Sequence, residues 1–262
     1  MLDKYLFGTV NRQSPEAPVP IILKESEKYC IGGAGNVACN LKYLTKQIKL
    51  FSIIGKDEDG KLIKDILEKK NIHFEYIESD NNPTITKTRY FSGEEQLLRV
   101  DKENQFSLEI SKKIFEKVKE NAKKDHPDLF LISDYDKMTI HKNLKIEEYI
   151  EPNKIVVDSK KRDLQLFQNG FVYKSNYKEL CNIAKKRVKR DELKKEIANL
   201  IKKYNFQIMV TTLGSDGCFF MDKNSNYGLV EADQVKANDV TGAGDNFISI
   251  LTFLLLKNYE LE

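Results

Sequence analysis

The sequence lacks the marks of several large protein classes. None of its four cysteines (Cys30, Cys39, Cys181 and Cys218) stands in a CxxC spacing, and no signal-peptide pattern opens the chain. Buried or half-buried thiols in a reducing cytoplasm are therefore expected rather than a disulfide framework. The three histidines, His73, His126 and His141, are scattered and form no metal-ligand spacing. An excess of one charge is also missing: 43 Lys and Arg against 40 Asp and Glu leave +3. No global field favours a polyanion, so nucleic acid is not an expected partner. The basic run at residues 185–190 is the local exception and reads as a solvated loop ahead of a helix. The apolar run at residues 247–256 is too short for a bilayer and is interrupted by Ser249 and Thr252, so no membrane partner is expected. Neither an internal repeat nor a low-complexity linker is present.

What remains is an ordinary globular composition, 40% hydrophobic over 262 residues, enough for one sizeable core. From about residue 33, apolar strands alternate with amphipathic helices. Helices are expected at 33–44, 59–70, 107–123, 191–204 and 242–256. Strands are expected at 48–54, 72–77, 129–132, 155–157 and 207–211. This alternation predicts an α/β fold with a mainly parallel sheet covered by helices on both faces. Residues 19–24, 84–90 and 96–101 break the rhythm, with Ser92-Gly93-Glu94-Glu95 as a turn. They read as a small antiparallel β lid, roughly residues 4–24 and 84–101, or as edge strands of one mixed sheet.

The most informative string is Asn238-Asp239-Val240-Thr241-Gly242-Ala243-Gly244-Asp245, which runs into an apolar helix. Glycines let a bulky group approach the main chain, and first-turn amides backed by the helix dipole favour negative charge there. Such a turn suits a transferring phosphoryl group, and a carboxylate beside it suits proton abstraction from an attacking hydroxyl. Helix capping explains Asp239 or Thr241, but not two glycines around an alanine before a second acid.

Asp-x-Thr-Gly-Ala-Gly-Asp resembles the second signature of the ribokinase (PfkB) carbohydrate kinases. That resemblance implies Asp245 as catalytic base and Gly242, Ala243 and Gly244 as an anion hole, with Asp239 matching the acid before the threonine. Gly32-Gly33-Ala34-Gly35-Asn36 is similar to the first signature, whose glycines and asparagine contact the sugar. The same residues also fit a GxGxxA dinucleotide fingerprint, with Asp57 placed as its ribose acid, although the preceding residues 25–29 are too polar for its buried strand. Asn176-Tyr177-Lys178-Glu179 matches the family's Asn-x-x-Glu element near Mg²⁺ and the phosphates. The loop with Thr212, Gly214 and Gly217 resembles the nucleotide side, or is a simple β-turn.

A narrower likeness is to the D-glycero-β-D-manno-heptose 7-phosphate kinases. It rests on Met1-Leu2-Asp3-Lys4-Tyr5, Ser14-Pro15-Glu16-Ala17-Pro18-Val19-Pro20, the stretches 82–89 and 96–101, and Ser133-Asp134-Tyr135. It implies one kinase domain over 1–262, ATP and Mg²⁺, and transfer to the C1 hydroxyl. Asp3, Gly33 and Asn36 would hold the sugar, Lys87, Arg89 and Arg99 its existing phosphate, and a homodimer would form through the lid. Another sugar or nucleoside kinase, or an inactive sugar-phosphate binder, are the alternatives. The family's first strand, ending Gly-Asp, and its last helices have no counterpart in the string. Asp158-Ser159-Lys160 departs from the subgroup's Asp-Pro-Lys, and Asp136 and Met138 stand where small residues are usual.

Overall fold

The structure is a computed structural model and describes residues 1–137, 139–233, 242–257 and 259. Asn238 to Thr241 of the glycine-rich string, Asp239 included, and Met138 lie outside the described residues.

Strands β7 (Phe130–Asp134), β8 (Ile155–Ser159), β9 (Val172–Asn176) and β10 (Ile208–Thr212) run parallel. β11 (Cys218–Asp222) and β12 (Tyr227–Val230) continue them antiparallel in one six-stranded sheet. β3 (Lys49–Gly55) and β4 (His73–Ser79) form a separate parallel pair. Ile155, Val156 and Val157 are all essentially inaccessible, as expected of a parallel strand covered on both faces. Val156, Val172 and Val210 pack beneath α1 (Ala34–Leu44) and α6 (Ala243–Leu256). On the other face, Val157, Tyr173 and Met209 pack with α4 (Tyr177–Ala184), α5 (Leu193–Tyr204) and α3 (Leu108–Asp125). α2 (Glu58–Lys69) covers β3 and β4 through Ile63 and Leu67.

The remaining four strands form their own sheet, β2-β1-β5-β6, which settles the choice between a distinct sheet and edge strands. They are β1 (Leu2–Gln13), β2 (Pro20–Ile31), β5 (Thr86–Ser92) and β6 (Glu95–Lys102). The sheet is mixed rather than antiparallel, because β1 and β5 run parallel. The proline-rich segment is the hairpin connection between β1 and β2. Residues 25–29 belong to β2, and the polarity of residues 25–28 follows from their exposure. Sequence periodicity also passed over β9, β11 and β12. β9 hides a lysine in its centre, and the other two are only four or five residues long.

The α2 N-terminus shows how local chemistry fixes the frame. Asp57 caps the helix by accepting from the Gly60 amide at 2.8 Å, and it also accepts from the Thr84 amide and hydroxyl at 2.8 and 2.6 Å. This carboxylate is committed to joining α2 to the segment before β5. The element before α1 is an exposed strand of the four-stranded sheet, not a buried sheet strand. Both features remove the dinucleotide-fingerprint reading.

Candidate active site

α6 begins at Gly242, whose φ of 83° is in the left-handed region that glycine adopts without strain. The first-turn amides of Ala243 and Gly244 have no acceptor within the helix itself. Asp245 follows on the inner side of that turn and is buried. Ser249 donates to the Asp245 carbonyl at 2.6 Å, holding the backbone of the turn below.

Two distant elements converge on the Asp245 carboxylate. The Asn36 amide, from the first turn of α1, donates to Oδ2 at 2.7 Å, and the Tyr135 hydroxyl, just after β7, donates to Oδ1 at 2.6 Å. Burial first, and the Asp245 hydrogen bond second, push the Tyr135 phenol far above its ordinary value, so it stays a donor. Gly33, at φ 59°, lies against the Tyr135 ring, and Gly32 leaves room for the Asp3 carboxylate, which a Cβ there would meet. The glycines of the first signature thus admit neighbouring side chains to the site.

Asp3, on β1, accepts from Arg89 on β5 at 2.7 Å, while the Arg89 guanidinium lies 5.2 Å from the Tyr5 ring centre. Register puts Lys87 beside Asp3 and Arg89 directly opposite Arg99, so the three expected phosphate ligands share one face. Arg99 is itself paired with Asp101 at 2.8 Å. Lys160 adds a fourth cation, its Nζ 4.1 Å from the Tyr135 ring centre. Burial, and then the charge of Lys87, hold Lys160 below the usual lysine range.

The nucleotide-side candidates lie at the C-terminal ends of β9 and β10, where Asn176 and Thr212 are register partners. Asn176 and Glu179 bind each other in a capping box. The Glu179 amide donates to Asn176 Oδ1 at 2.9 Å and the Asn176 amide to Glu179 Oε2 at 2.8 Å. Gly217, at φ 88°, is demanded by the backbone of β12, since a Cβ would collide with the Val230 carbonyl. Gly214 also has positive φ but open space around it. The basic run is not simply solvated. Val188 is fully buried, and Arg187, Lys189 and Arg190 line a cavity with Tyr177 and Asp216 beside the same loop.

The ion pair of Lys174 and Asp158 is not announced by the sequence. Lys174, buried in β9, donates to Asp158 at 2.8 Å, and its Nζ stands against Gly244 at the α6 turn. It lies two residues before Asn176, which was the only available signal. Burial raises the Asp158 carboxyl, an effect opposed by Lys174 and reinforced by Glu179 and Asp245. The departures also have local partners. Ser159 donates to Asp134 at 2.9 Å, and Asp136, at φ 55°, accepts from Lys161 at 2.7 Å.

No three acidic, histidine or cysteine side chains among the described residues come close enough to cage a metal. The Glu179 carboxylate, close enough to raise Asp158, fits a hard cation held mostly by water and phosphate oxygens, as Mg²⁺ commonly is. No described helix is long and apolar enough to cross a membrane.

Comparison with known proteins agrees with this geometry. The chain is 33% identical over 264 residues to the bifunctional protein HldE of Histophilus somni, and 30% identical to that of Nitratiruptor sp.. All of the chain aligns but only 55–56% of those proteins, so it spans about half the length of the curated relatives it matches. Phosphofructokinase-2 from Escherichia coli, solved in complex with fructose-6-phosphate, superposes with a TM-score of 0.79 at 20% identity, covering 99% of this chain and 85% of that one. The fold is therefore ribokinase-like. Residues 7–262 match the pfkB family carbohydrate kinase profile, and the chain belongs to that family of carbohydrate kinases.

Proposed function

We propose that the chain catalyses ATP-dependent phosphoryl transfer to the C1 hydroxyl of D-glycero-β-D-manno-heptose 7-phosphate. The observation that carries this reading is the Asp245 carboxylate, buried at the start of α6 and oriented by Asn36 and Tyr135. Asp245 takes the hydroxyl proton as the acceptor oxygen bonds to the γ-phosphorus and the bond to the bridging oxygen of ADP breaks. Amides of the 242–244 turn and the Lys174 ammonium face the charge on the transferring group. Mg²⁺ would neutralise phosphate oxygens, held near Glu179 and Asn176 through water.

The acceptor preference is supported by the cationic face of Lys87, Arg89 and Arg99 with Lys160, which suits an acceptor that already carries a phosphate. Asp3 and Asn36 offer oxygen and amide partners to sugar hydroxyls. We assign the whole chain to one kinase domain with the four-stranded sheet as its lid. Its outer strands leave Leu23, Leu98 and Val100 half exposed, which favours a homodimer through the lid.

The test is Asp245→Asn. Turnover falls by at least ~100-fold, the low end for losing a general base, while calorimetry shows unchanged binding of a non-hydrolysable ATP analogue. Near-normal turnover in that variant removes Asp245 from the role of base.

A further inference from the structure

The two acids that flank Tyr135 share one buried cation. Lys161, just after β8, is almost inaccessible, and its Nζ lies 2.7 Å from Asp136 Oδ1 and 3.4 Å from Asp134 Oδ2. Asp134 ends β7 and is itself buried, whereas the Asp136 side chain is half exposed. Tyr135 stands between them in the chain. One ammonium therefore holds both neighbours of the hydroxyl donor that meets Asp245.

The ends of β7 and β8 are stitched together around this cation. The Lys160 amide donates to the Asp134 carbonyl at 3.0 Å, and the Lys161 amide to Ser159 Oγ at 3.1 Å. Ser159 Oγ donates in turn to Asp134 Oδ2 at 2.9 Å, while the Ser159 carbonyl accepts from the Tyr173 hydroxyl at 3.0 Å. The Asp136 amide donates to Asp134 Oδ1 at 2.9 Å. Successive lysines thus grip residues 134–136: Lys160 lies over the Tyr135 ring, and Lys161 holds the flanking carboxylates. Ser159 and Asp136, which both depart from the subgroup's pattern, belong to this one network.

Electrostatics makes the arrangement depend on Lys161. Burial pushes the Asp134 carboxyl above the usual aspartate range, and the Lys161 charge is the largest effect opposing it. The Asp136 carboxylate raises Asp134 further. Without the ammonium the two carboxylates lose their shared cation, and a buried charge stripped of its partner is strongly unfavourable. Asp134 is fixed in β7 and bound to Ser159, so relief comes from the exposed Asp136. Its φ of 55° is a left-handed conformation that glycine adopts more readily, and the bond to Lys161 keeps it there. Any movement of Asp136 carries the adjoining Tyr135 with it.

We propose that Lys161 is a positioning residue for phosphoryl transfer: it clamps the acids on either side of Tyr135 and so holds the hydroxyl that orients Asp245. This role rests on the reading of Asp245 as the base. The Lys161 ammonium is committed to the two acids, so its effect on the reaction passes through Tyr135. Tyr135 bonds the Asp245 carboxylate and not the Asn176–Glu179 pair. Turnover therefore depends on Lys161, and the KM for ATP does not.

Lys161→Met, Lys161→Arg and Asp136→Asn test the clamp, compared by steady-state kinetics and by NMR of protein labelled at tyrosine Cζ. The Tyr135 signal is identified by its loss in Tyr135→Phe. In Lys161→Met, kcat with heptose 7-phosphate falls by about 10- to 100-fold, the scale of a misplaced group, and the KM for ATP is unchanged. The Tyr135 signal shifts, and its phenol ionises closer to the ordinary tyrosine range. Lys161→Arg restores most of both. Asp136→Asn, which a left-handed turn accepts, gives a smaller shift in the same direction and carries the comparison if Lys161→Met does not fold. An unchanged Tyr135 signal and titration in these folded variants overturns the clamp, whatever the melting temperature. A displaced Tyr135 with unaltered kcat overturns the positioning role. If the parent chain phosphorylates no acceptor, the reading of Asp245 as base falls, while the NMR comparison still decides whether Lys161 holds Tyr135.

Discussion

The proposed acceptor side and the proposed nucleotide side of the site are built in opposite ways. Around the acceptor, the contacts of Asp245, Asp3 and Arg89 join elements far apart in the chain: Asp245 meets Asn36 and Tyr135, 209 and 110 residues away, and Arg89 meets Asp3 across 86 residues. On the nucleotide side, Asn176 and Glu179 satisfy each other three residues apart. The first arrangement exists only in the folded protein and orients side chains; the second forms within one helical turn. The proposed acceptor side is thus preorganised by tertiary structure, whereas the Asn176–Glu179 pair on the proposed nucleotide side is already paired locally.

Substitutions on the two sides should separate accordingly. Arg89→Ala leaves the Asp3 carboxylate without its cation, and a hydrogen bond between charged groups is worth about 1.5–3 kcal/mol. The kcat/KM for a phosphorylated acceptor should fall by about 10- to 100-fold, with the KM for ATP unchanged in steady-state assays. An equal rise in both KM values would erase the distinction between the two sides.

Glu179→Gln sharpens the other half of the comparison. Glutamine still accepts from the Asn176 amide, so the capping box and the melting temperature should persist. Loss of the charge should weaken Mg²⁺ activation by about tenfold, the scale of an outer-shell change. A lowered melting temperature with unaltered Mg²⁺ dependence would reduce Glu179 to a cap.

Asp57→Ala serves as the control for a carboxylate with a purely structural duty. Burial opposes its charge, but bonds from Thr84 and Gly60 outweigh that and hold it below the usual aspartate range. A group with a depressed folded-state pKa stabilises fully above its unfolded value, about pH 4. That contribution is lost as pH falls through the folded value. Urea melts should show the variant less stable by about 1–2 kcal/mol at pH 7, with the gap closing toward pH 3 and turnover retained.

The smallest effect concerns Lys160. Since burial and Lys87 lower its pKa, the alkaline loss of acceptor-phosphate binding should begin below the ordinary lysine range. Removing the like charge in Lys87→Ala should move that limb upward, toward the ordinary lysine range. Calorimetric titration across pH 7–10 reads the shift.

The legible parts of the sequence were those whose physics is local. The glycine turn before Asp245, the periodic helices and the Asn176–Glu179 spacing could all be read directly. The first-signature pattern links Asn36 only to the sugar, and its bond to Asp245 depends on α1 packing against α6. Tyr135 appeared only as one letter of a family-like string, because nothing in its neighbours announces a carboxylate from the far end of the chain. Lys174 has no signal of its own, because a lysine within a short strand looks out of place until Asp158 is seen beside it. The pattern of β2 ends near residue 24 in the sequence because its exposed residues 24–28 carry no alternation.

The most direct test is ADP release measured across a panel of acceptors, with the product followed by phosphorus NMR. The panel holds heptose 7-phosphate, the unphosphorylated heptose, fructose 6-phosphate and a nucleoside. The account predicts the highest kcat/KM for heptose 7-phosphate and a new anomeric phosphate signal in its product. Equal rates with and without the 7-phosphate, or ADP release with no phosphorylated sugar, would contradict it.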